Sequence, residues 1–69
     1  MNVNILLGQN IARLRAESGI SQNALAVTLG VSPQAVSKWE RGICCPDISQ
    51  LPRIAKVFGT SIDELFSEK

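Results

Sequence analysis

The sequence predicts a compact all-α domain of five short helices, and three observations support this fold class. Apolar residues recur at the spacing of a buried helix stripe, and no stretch alternates apolar and polar residues as a strand does. The chain has 69 residues, enough for a single domain. Four of its five glycines follow such apolar stretches, as glycines that end helices do: Gly19, Gly30, Gly42 and Gly59.

The first three helices are predicted from their caps and apolar stripes. The first covers residues 4–18, and the second covers 22–29 after Ser21, whose hydroxyl can cap it. Ser32 caps the third helix, and Pro33 stands at its first position, where a missing N–H removes no helical hydrogen bond. The expected buried residues are Leu7, Ile11 and Leu14 in the first helix, Leu25, Ala26 and Leu29 in the second, and Val36 and Trp39 in the third.

The start of the fourth helix is ambiguous, and the fifth has a clear signal. Asp47 resembles a capping residue, but a helix starting there would carry Pro52 in its interior, so Ser49 is preferred as the cap. Ser61 and Glu64 form the capping-box spacing S-x-x-E at the start of the fifth helix. The buried face expected for the fourth helix is Leu51, Ile54, Ala55 and Phe58.

Composition argues against enzyme and membrane functions. The chain has no histidine, the commonest general base and metal ligand, and adjacent Cys44 and Cys45 do not have the spacing of a zinc site. We therefore expect no catalytic site, no cofactor and no metal, and we interpret the cysteines as small apolar residues, a redox switch being the alternative. No apolar run is long enough for a membrane span and no leader is evident, so we expect a cytoplasmic protein.

Charge is unevenly distributed along the chain. The net charge is only +1, which does not by itself announce a nucleic-acid partner. Residues 1–62 contain six Lys or Arg against three acids, net +3, whereas residues 63–69 contain one Lys against three acids, net −2. The body of the domain is therefore mildly basic and its end acidic.

The second and third helices have the spacing of a helix-turn-helix. Only Gly30, Val31 and Ser32 separate them, so the two helices must meet at a steep angle. Such a crossing needs a small residue in the second helix, which Ala26 supplies, and a glycine that tolerates positive φ in the turn. Counted along the motif, Gln22 is position 1, Ala26 position 5, Gly30 position 9, Val36 position 15 and Trp39 position 18.

These residues resemble the phage repressor and Cro-type helix-turn-helix family, also described as lambda-repressor-like or xenobiotic-response-element proteins. The resemblance covers about residues 7–66 of what we interpret as a single helix-turn-helix domain, 1–69. It implies a five-helix DNA-binding domain whose third helix, about 33–41, lies in the major groove, and it implies sequence-specific transcriptional regulation. The matching segments are IARLR (11–15), GISQNALA (19–26), LGVSPQAVSKWERG (29–42) and IAKVFGTSIDELF (54–66).

The exposed side of the third helix is the predicted base-contact face, formed by Pro33, Gln34, Ser37 and Lys38. Gln34 can bond the N6 and N7 atoms of adenine, and Lys38 can donate to O6 and N7 of guanine. Pro33 can contact the methyl group of a thymine. The alternative is an ordinary solvated helix face, since polar exposed faces are common.

Further roles follow from the resemblance. Arg15 and Glu40 occupy positions that form a structural ion pair in the family, and Trp39 is expected in the core. Gln22 occupies a position that usually contacts a phosphate, with a helix N-terminus beside it. The full set of expected phosphate contacts is Gln22, Asn23, Ser32, Arg41, Ser49 and Gln50, with Asp47 opposing them by repulsion.

The leading hypothesis is a transcriptional regulator, expected to be a repressor, that binds a palindromic double-stranded DNA operator as a homodimer. Pairing would use either the fifth helix or the N-terminal segment, or would form only on DNA; the chain is alternatively one end of a longer product. A protein-binding antitoxin or adaptor module on the same fold is the alternative function. The candidate pairing residues are Ile62, Leu65 and Phe66 in the fifth helix, and Val3, Ile5 and Leu6 at the N-terminus.

Overall fold

A computed structural model describes residues 2–68, and within that range every regular element is helical. The five predicted helices are all present, and a single 3-10 turn precedes the fourth. The described residues contain no strand. In chain order the elements are α1 (Val3–Ser18), α2 (Gln22–Leu29), α3 (Pro33–Glu40), the 3-10 turn (Ile48–Gln50), α4 (Leu51–Val57) and α5 (Ile62–Leu65).

Side-chain oxygens cap four of the helices. The Ser21 hydroxyl accepts a hydrogen bond from the Ala24 backbone N–H at 3.0 Å, which starts α2 at the predicted residue. Ser32 caps α3 and Ser61 caps α5 in the same way. The amide oxygen of Asn2 caps α1, which therefore begins one residue before the predicted start.

The predicted cap of the fourth helix is wrong. Asp47, not Ser49, accepts the capping hydrogen bond, and it caps the 3-10 turn that leads into α4. Because the 3-10 turn ends at Gln50, α4 proper begins only at Leu51, and Pro52 falls in its first turn. No α-helical N–H is needed there, so Asp47 can cap without placing the proline in a helix interior.

The turn between α2 and α3 closes through backbone hydrogen bonds that need a left-handed residue. Gly30 has φ +73°, its N–H donates to the carbonyl of Val27, and the N–H of Val31 donates to the carbonyl of Ala26. This pairing satisfies carbonyls at the end of α2 and turns the chain towards α3 within three residues. It sets the angle at which α3 leaves α2.

The core lies where α3 packs against α1 and α2. The most deeply buried large side chains are Ile11, Leu25, Leu29, Val36, Ile54 and Leu65. Three predicted core residues are only partly buried and pack around the edge of this cluster: Leu14, Leu51 and Phe58. Trp39 is buried, as expected.

α1 and α3 approach each other at a glycine. A Cβ atom on Gly8, which is buried within α1, would overlap the backbone carbonyl oxygen of Trp39 and lie 3.1 Å from the carbonyl carbon. Only a residue without a side chain permits this separation. The contact positions the C-terminal half of α3 directly against α1.

Asn10 is a polar residue in the interior of the domain, with 4% of its surface exposed. Its Nδ2 donates to the carbonyl of Leu65 at 2.8 Å and to the carbonyl of Ser67 at 2.9 Å. Leu65 is the last residue of α5, where carbonyls lack a helical partner, and Ser67 lies just beyond the helix. Asn10 therefore fixes the last helix to the middle of α1.

None of the helices in residues 2–68 combines the length and the apolar character that crossing a bilayer requires.

Candidate nucleic-acid interface

The helix pair α2 and α3 presents one polar face outward over an apolar interior. Ala26 is 1% exposed where α3 crosses α2, and Val36 is fully buried on the inner side of α3. Ala26 thus meets the need for a small side chain at this crossing. The inner side of α3 is used for packing, so its other side is available to a ligand.

The predicted base-contact face lies on that outer side. Pro33, Gln34 and Lys38 are exposed, and Ser37 is half-buried. The Ser32 hydroxyl accepts from the Ala35 backbone N–H at 3.1 Å and so holds the N-terminal end of the face. The structure brings the four residues together on one side of α3. The donors and acceptors among them can pair with those that base edges present in a major groove.

Arg41 follows directly at the C-terminal end of α3. Its side chain is exposed, and its Nε donates to the Ser37 carbonyl at 3.3 Å, which folds the guanidinium back along the last turn of α3. The remaining N–H groups of a guanidinium are suited to phosphate oxygens. Arg41 therefore adds a cation beside the base-contact face.

Glu40, the last residue of α3, accepts a two-pronged ion pair from Arg15 of α1. Arg15 Nε lies 2.6 Å from Glu40 Oε2, and Arg15 Nη2 lies 3.1 Å from Oε1. The hydrogen bond to Glu40 raises the pKa of Arg15 above its usual value. Arg15 Nη1 also donates to the Ile20 carbonyl at 2.9 Å, so the same guanidinium joins α1, the chain before α2, and α3.

Gln22 reaches the same carboxylate. Its Nε2 donates to Glu40 Oε1 at 2.9 Å, a contact that the sequence did not indicate. Gln22 is the first residue of α2 and is half-buried, whereas Asn23 beside it is exposed. The start of α2 and the end of α3 therefore meet at Glu40.

Ser49 and Gln50, also predicted as phosphate contacts, are engaged within the chain. Both the N–H and the hydroxyl of Ser49 donate to the Asp47 carboxylate, and these two bonds lower the pKa of Asp47. Gln50 Nε2 donates to the Leu29 carbonyl at 3.3 Å. A carboxylate at this position repels phosphate, so the geometry does not favour an anion site at Ser49.

The sequence did not indicate how α4 holds the end of α2. Besides Gln50 on Leu29, Arg53 Nη2 donates to the Thr28 carbonyl at 3.5 Å and Nη1 donates to Gln50 Oε1 at 3.4 Å. The i, i+3 spacing of Gln50 and Arg53 puts them on one side of a helix, but it does not reveal what that side faces. Gln50 and Arg53 therefore stabilise the end of α2, from which the turn to α3 begins.

The two candidate pairing surfaces adjoin each other, but the prediction that Leu65 belongs to one of them is wrong. Leu65 is fully buried, because its side chain fills the core beneath α5, and it is not available to a partner. Phe66 and Val3 line one open groove together with Ile48, whose side chain is 81% exposed. Ile62 and Ile5 remain exposed as well.

The cysteines do not form a bond with each other. Cys44 is half-buried against the core and Cys45 is exposed, both as free thiols. Across residues 2–68, no cluster of three or more Cys, Asp or Glu side chains is arranged to hold a metal ion.

Comparison with known proteins relates this geometry to transcriptional regulators. Residues 11–65 match a family model described as helix-turn-helix. An uncharacterized HTH-type transcriptional regulator of Sinorhizobium fredii, y4dJ, is 38% identical over 65 residues, which cover 94% of this chain and 84% of that protein. The HTH-type transcriptional regulator PuuR of Escherichia coli is 36% identical over 88% of this chain, which spans only 33% of PuuR's length.

Solved structures show the same fold. The restriction-modification controller protein C.AhdI from Aeromonas hydrophila superposes with a TM-score of 0.83 and 28% identity, over 91% of this chain and 96% of that one. Hydroxypropylphosphonic acid epoxidase from S. wedmorenis superposes with a TM-score of 0.87 and 32% identity, but over only 36% of its chain. The fold thus occurs both as nearly a whole protein and as one part of a larger one.

Proposed function

The chain belongs to the helix-turn-helix family, and from that premise we propose that it binds double-stranded DNA in a sequence-specific manner as a transcriptional regulator. The observation that carries the proposal is the polar, outward side of α3, held at a fixed angle by α2 over a buried apolar side. Such a helix fits the major groove, where each base pair presents a distinct pattern of donors and acceptors.

In this proposal the base-contact face specifies the sequence. Gln34 pairs with an adenine through two hydrogen bonds, Lys38 donates to a guanine, and Pro33 packs on a thymine methyl. Because Ser37 is half-buried and short, it contacts only a base that lies directly against α3. Each two-bonded contact discriminates against a wrong base by about 1–3 kcal/mol.

Gln22, Asn23, Ser32 and Arg41 are the proposed phosphate contacts. They lie at the N-terminal ends of α2 and α3 and at the C-terminal end of α3, on both sides of the base-contact face. Contacts to phosphate set the register of a protein on the duplex without reading its sequence. Ser49 is left out of this set, because its N–H and its hydroxyl both donate to Asp47. Gln50 is a further proposed contact, since Nε2 keeps a second N–H besides the one donated to Leu29.

We further propose that two copies bind a palindromic operator, with half-sites about one helical turn apart. The exposed apolar side chains around Phe66, among them Val3 and Ile48, support pairing at the groove they share. Sedimentation with and without operator DNA tests this proposal, using Phe66→Glu as the variant that breaks pairing. A wild-type chain that stays monomeric in both conditions contradicts the dimer.

Repression, a cytoplasmic location and the lack of a catalytic role for this domain complete the proposal. A bound domain that covers the major groove excludes polymerase wherever its site overlaps a promoter. The absence of histidine supports a binding function over a catalytic one. A promoter carrying the selected operator ahead of a reporter gene tests the direction, since repression predicts lower expression when the chain is present.

The decisive experiment selects bound duplexes from a random DNA pool. We expect an enriched motif, Gln34→Ala to relax one base position in it, and Lys38→Ala to relax another. Gln9→Ala, which removes an exposed amide from α1, is the matched control and should leave the motif unchanged. A pool that shows no enrichment contradicts sequence-specific binding and favours a protein partner.

A further inference from the structure

We propose that Glu40 is a positioning residue for DNA binding: it holds the side-chain amide of Gln22 in the orientation that leaves one N–H to donate to a phosphate. This inference rests on the proposed DNA-binding function. It gives Glu40 a role beyond its ion pair with Arg15, although Glu40 itself contacts no DNA in the proposal.

Three donors fix the buried carboxylate of Glu40 in place. Glu40 has 7% of its side chain exposed and accepts three hydrogen bonds, two from Arg15 and one from Gln22. Arg15 fixes the carboxylate through Nε and Nη2 together, so its Oε1 atom has a defined place. Gln22 donates to an acceptor that cannot rotate away.

The Glu40 carboxylate determines which way the Gln22 amide faces. A glutamine side chain ends in an NH₂ group with two donors and a carbonyl oxygen that only accepts. If the amide were flipped, its oxygen would face Glu40 Oε1, an acceptor against an acceptor, which is unfavourable next to a buried charge. Glu40 therefore selects the orientation in which one N–H of Nε2 is used at 2.9 Å and the second is left over.

Gln22 lies at a helix end that is suited to an anion. Gln22 is the first residue of the eight-residue helix α2, where backbone N–H groups already favour an anion. A phosphate there would meet the leftover N–H of Gln22 without any reordering of the side chain, and preorganised contacts lose less entropy on binding. Because Glu40 also ends α3, any displacement of α3 would move this donor as well.

A double-mutant cycle on DNA affinity tests the coupling. Gln22→Ala should weaken binding to the selected duplex about tenfold in the wild-type background. In Glu40→Gln, the remaining side-chain oxygen stays opposite Arg15 Nε, the nearer Arg15 donor, and the new NH₂ group stands in place of Oε1. Gln22 then has no acceptor there, and Gln22→Ala should change affinity less than about twofold. Equal, additive losses in both backgrounds would overturn the proposal.

Gln34→Ala is the control within the same cycle. Its effect on affinity should be the same with Glu40 and with Glu40→Gln, because the base-contact face does not touch the carboxylate in this proposal. A wild-type chain that binds no duplex refutes the proposed function, whereas a wild-type chain that binds with an additive cycle refutes only the role of Glu40. The two failures are thereby distinguished.

A measurement on the wild-type side chains covers the case in which Glu40→Gln does not fold. In the NMR spectrum, one Nε2 proton of Gln22 should be displaced downfield relative to the amide protons of the exposed residues Gln9 and Gln34. Adding the duplex should then shift mainly the other Gln22 proton. Two Gln22 protons that resemble those of Gln9, or that move together on adding DNA, would overturn the proposal.

Discussion

Gly8 in α1 faces the backbone carbonyl of Trp39 in α3 so closely that a Cβ atom there would overlap the carbonyl oxygen. Trp39 is buried and helps to anchor α3, so this contact determines how deeply α3 sits against the rest of the domain. Backbone meets backbone here, and no side chain can be adjusted to widen the gap.

Gly8→Ala should therefore destabilise the domain by about 1–3 kcal/mol, by forcing α1 and α3 apart. Helix propensity alone predicts the opposite sign, since alanine normally stabilises a helix interior by up to about 1 kcal/mol relative to glycine. Urea unfolding followed by Trp39 fluorescence measures the difference. Ala16→Gly, at an exposed site of α1, reports the propensity effect alone; a Gly8→Ala variant as stable as the wild type would contradict the close contact.

Arg15→Ala should lower the free energy of unfolding by about 2 kcal/mol, because it leaves the Glu40 carboxylate buried with only Gln22 as a donor. The control is Arg13→Ala, which removes an ion pair to Glu17 whose side chains are 40% and 61% exposed. Exposed pairs contribute about 0–1 kcal/mol, so this variant should stay close to the wild type in the same denaturation experiment. Equal losses in the two variants would refute the structural role of the buried pair.

Asn10→Ala should lower the free energy of unfolding by about 2 kcal/mol, since the buried carbonyl of Leu65 and the partly buried carbonyl of Ser67 lose their donor. Relative to the wild type, amide hydrogen exchange in Asn10→Ala should speed up more in α5 than in α2, because Asn10 holds the end of α5 specifically. Gln9→Ala changes an exposed neighbour and should be within about 0.5 kcal/mol of the wild type. Uniformly faster exchange throughout the chain would contradict the idea that Asn10 stabilises α5 specifically.

Asp47→Ala should destabilise the start of α4 more than Ser49→Ala does, because Asp47 is the acceptor of both bonds. These bonds hold the pKa of Asp47 below its usual value, so its contribution is complete at neutral pH and is lost as the pH falls through that lowered pKa. The difference in stability between wild type and Asp47→Ala should accordingly shrink below about pH 4. Thermal unfolding across this range provides the measurement, and a difference that does not change with pH would show that the carboxylate is not the cap.

Arg41→Ala should weaken DNA binding at low salt and reduce the slope of log affinity against log salt concentration by about one counterion. Lys56→Ala is the matched control, since it removes an exposed cation that is outside the proposed phosphate contacts. Fluorescence anisotropy on the selected duplex at several salt concentrations compares the two. Equal changes of slope in both variants would indicate that net charge, and not the position of Arg41, sets the affinity.

Most of the fold could be predicted from local signals. Ser21, Ser32 and Ser61 each cap a helix through a bond to a nearby backbone N–H, and Gly30 ends α2 within the same few residues. Such signals involve neighbours in the chain and are visible in a sequence. The start of α4 was the exception, because the choice between two capping residues depended on a 3-10 turn that allowed Asp47 and Pro52 to coexist.

The site was predictable only in part, for a physical reason. Exposed positions on α3 follow from helix periodicity, so Gln34 and Lys38 could be placed on the outer side from the sequence. The partners of Gln22 and Gln50 lie 18 and 21 residues away, and whether an amide faces a carboxylate or a carbonyl depends on how whole helices pack. Spacing carries no information on such pairs.

The division of α3 into a packed side and a polar side has a consequence for how such proteins diversify. Val36 and Trp39 hold the helix in the core, whereas Gln34 and Lys38 contribute little to it. Exchange of the outer pair therefore carries little penalty in folding. Under the proposed function, duplicated copies of the gene can acquire new operators while keeping the same scaffold.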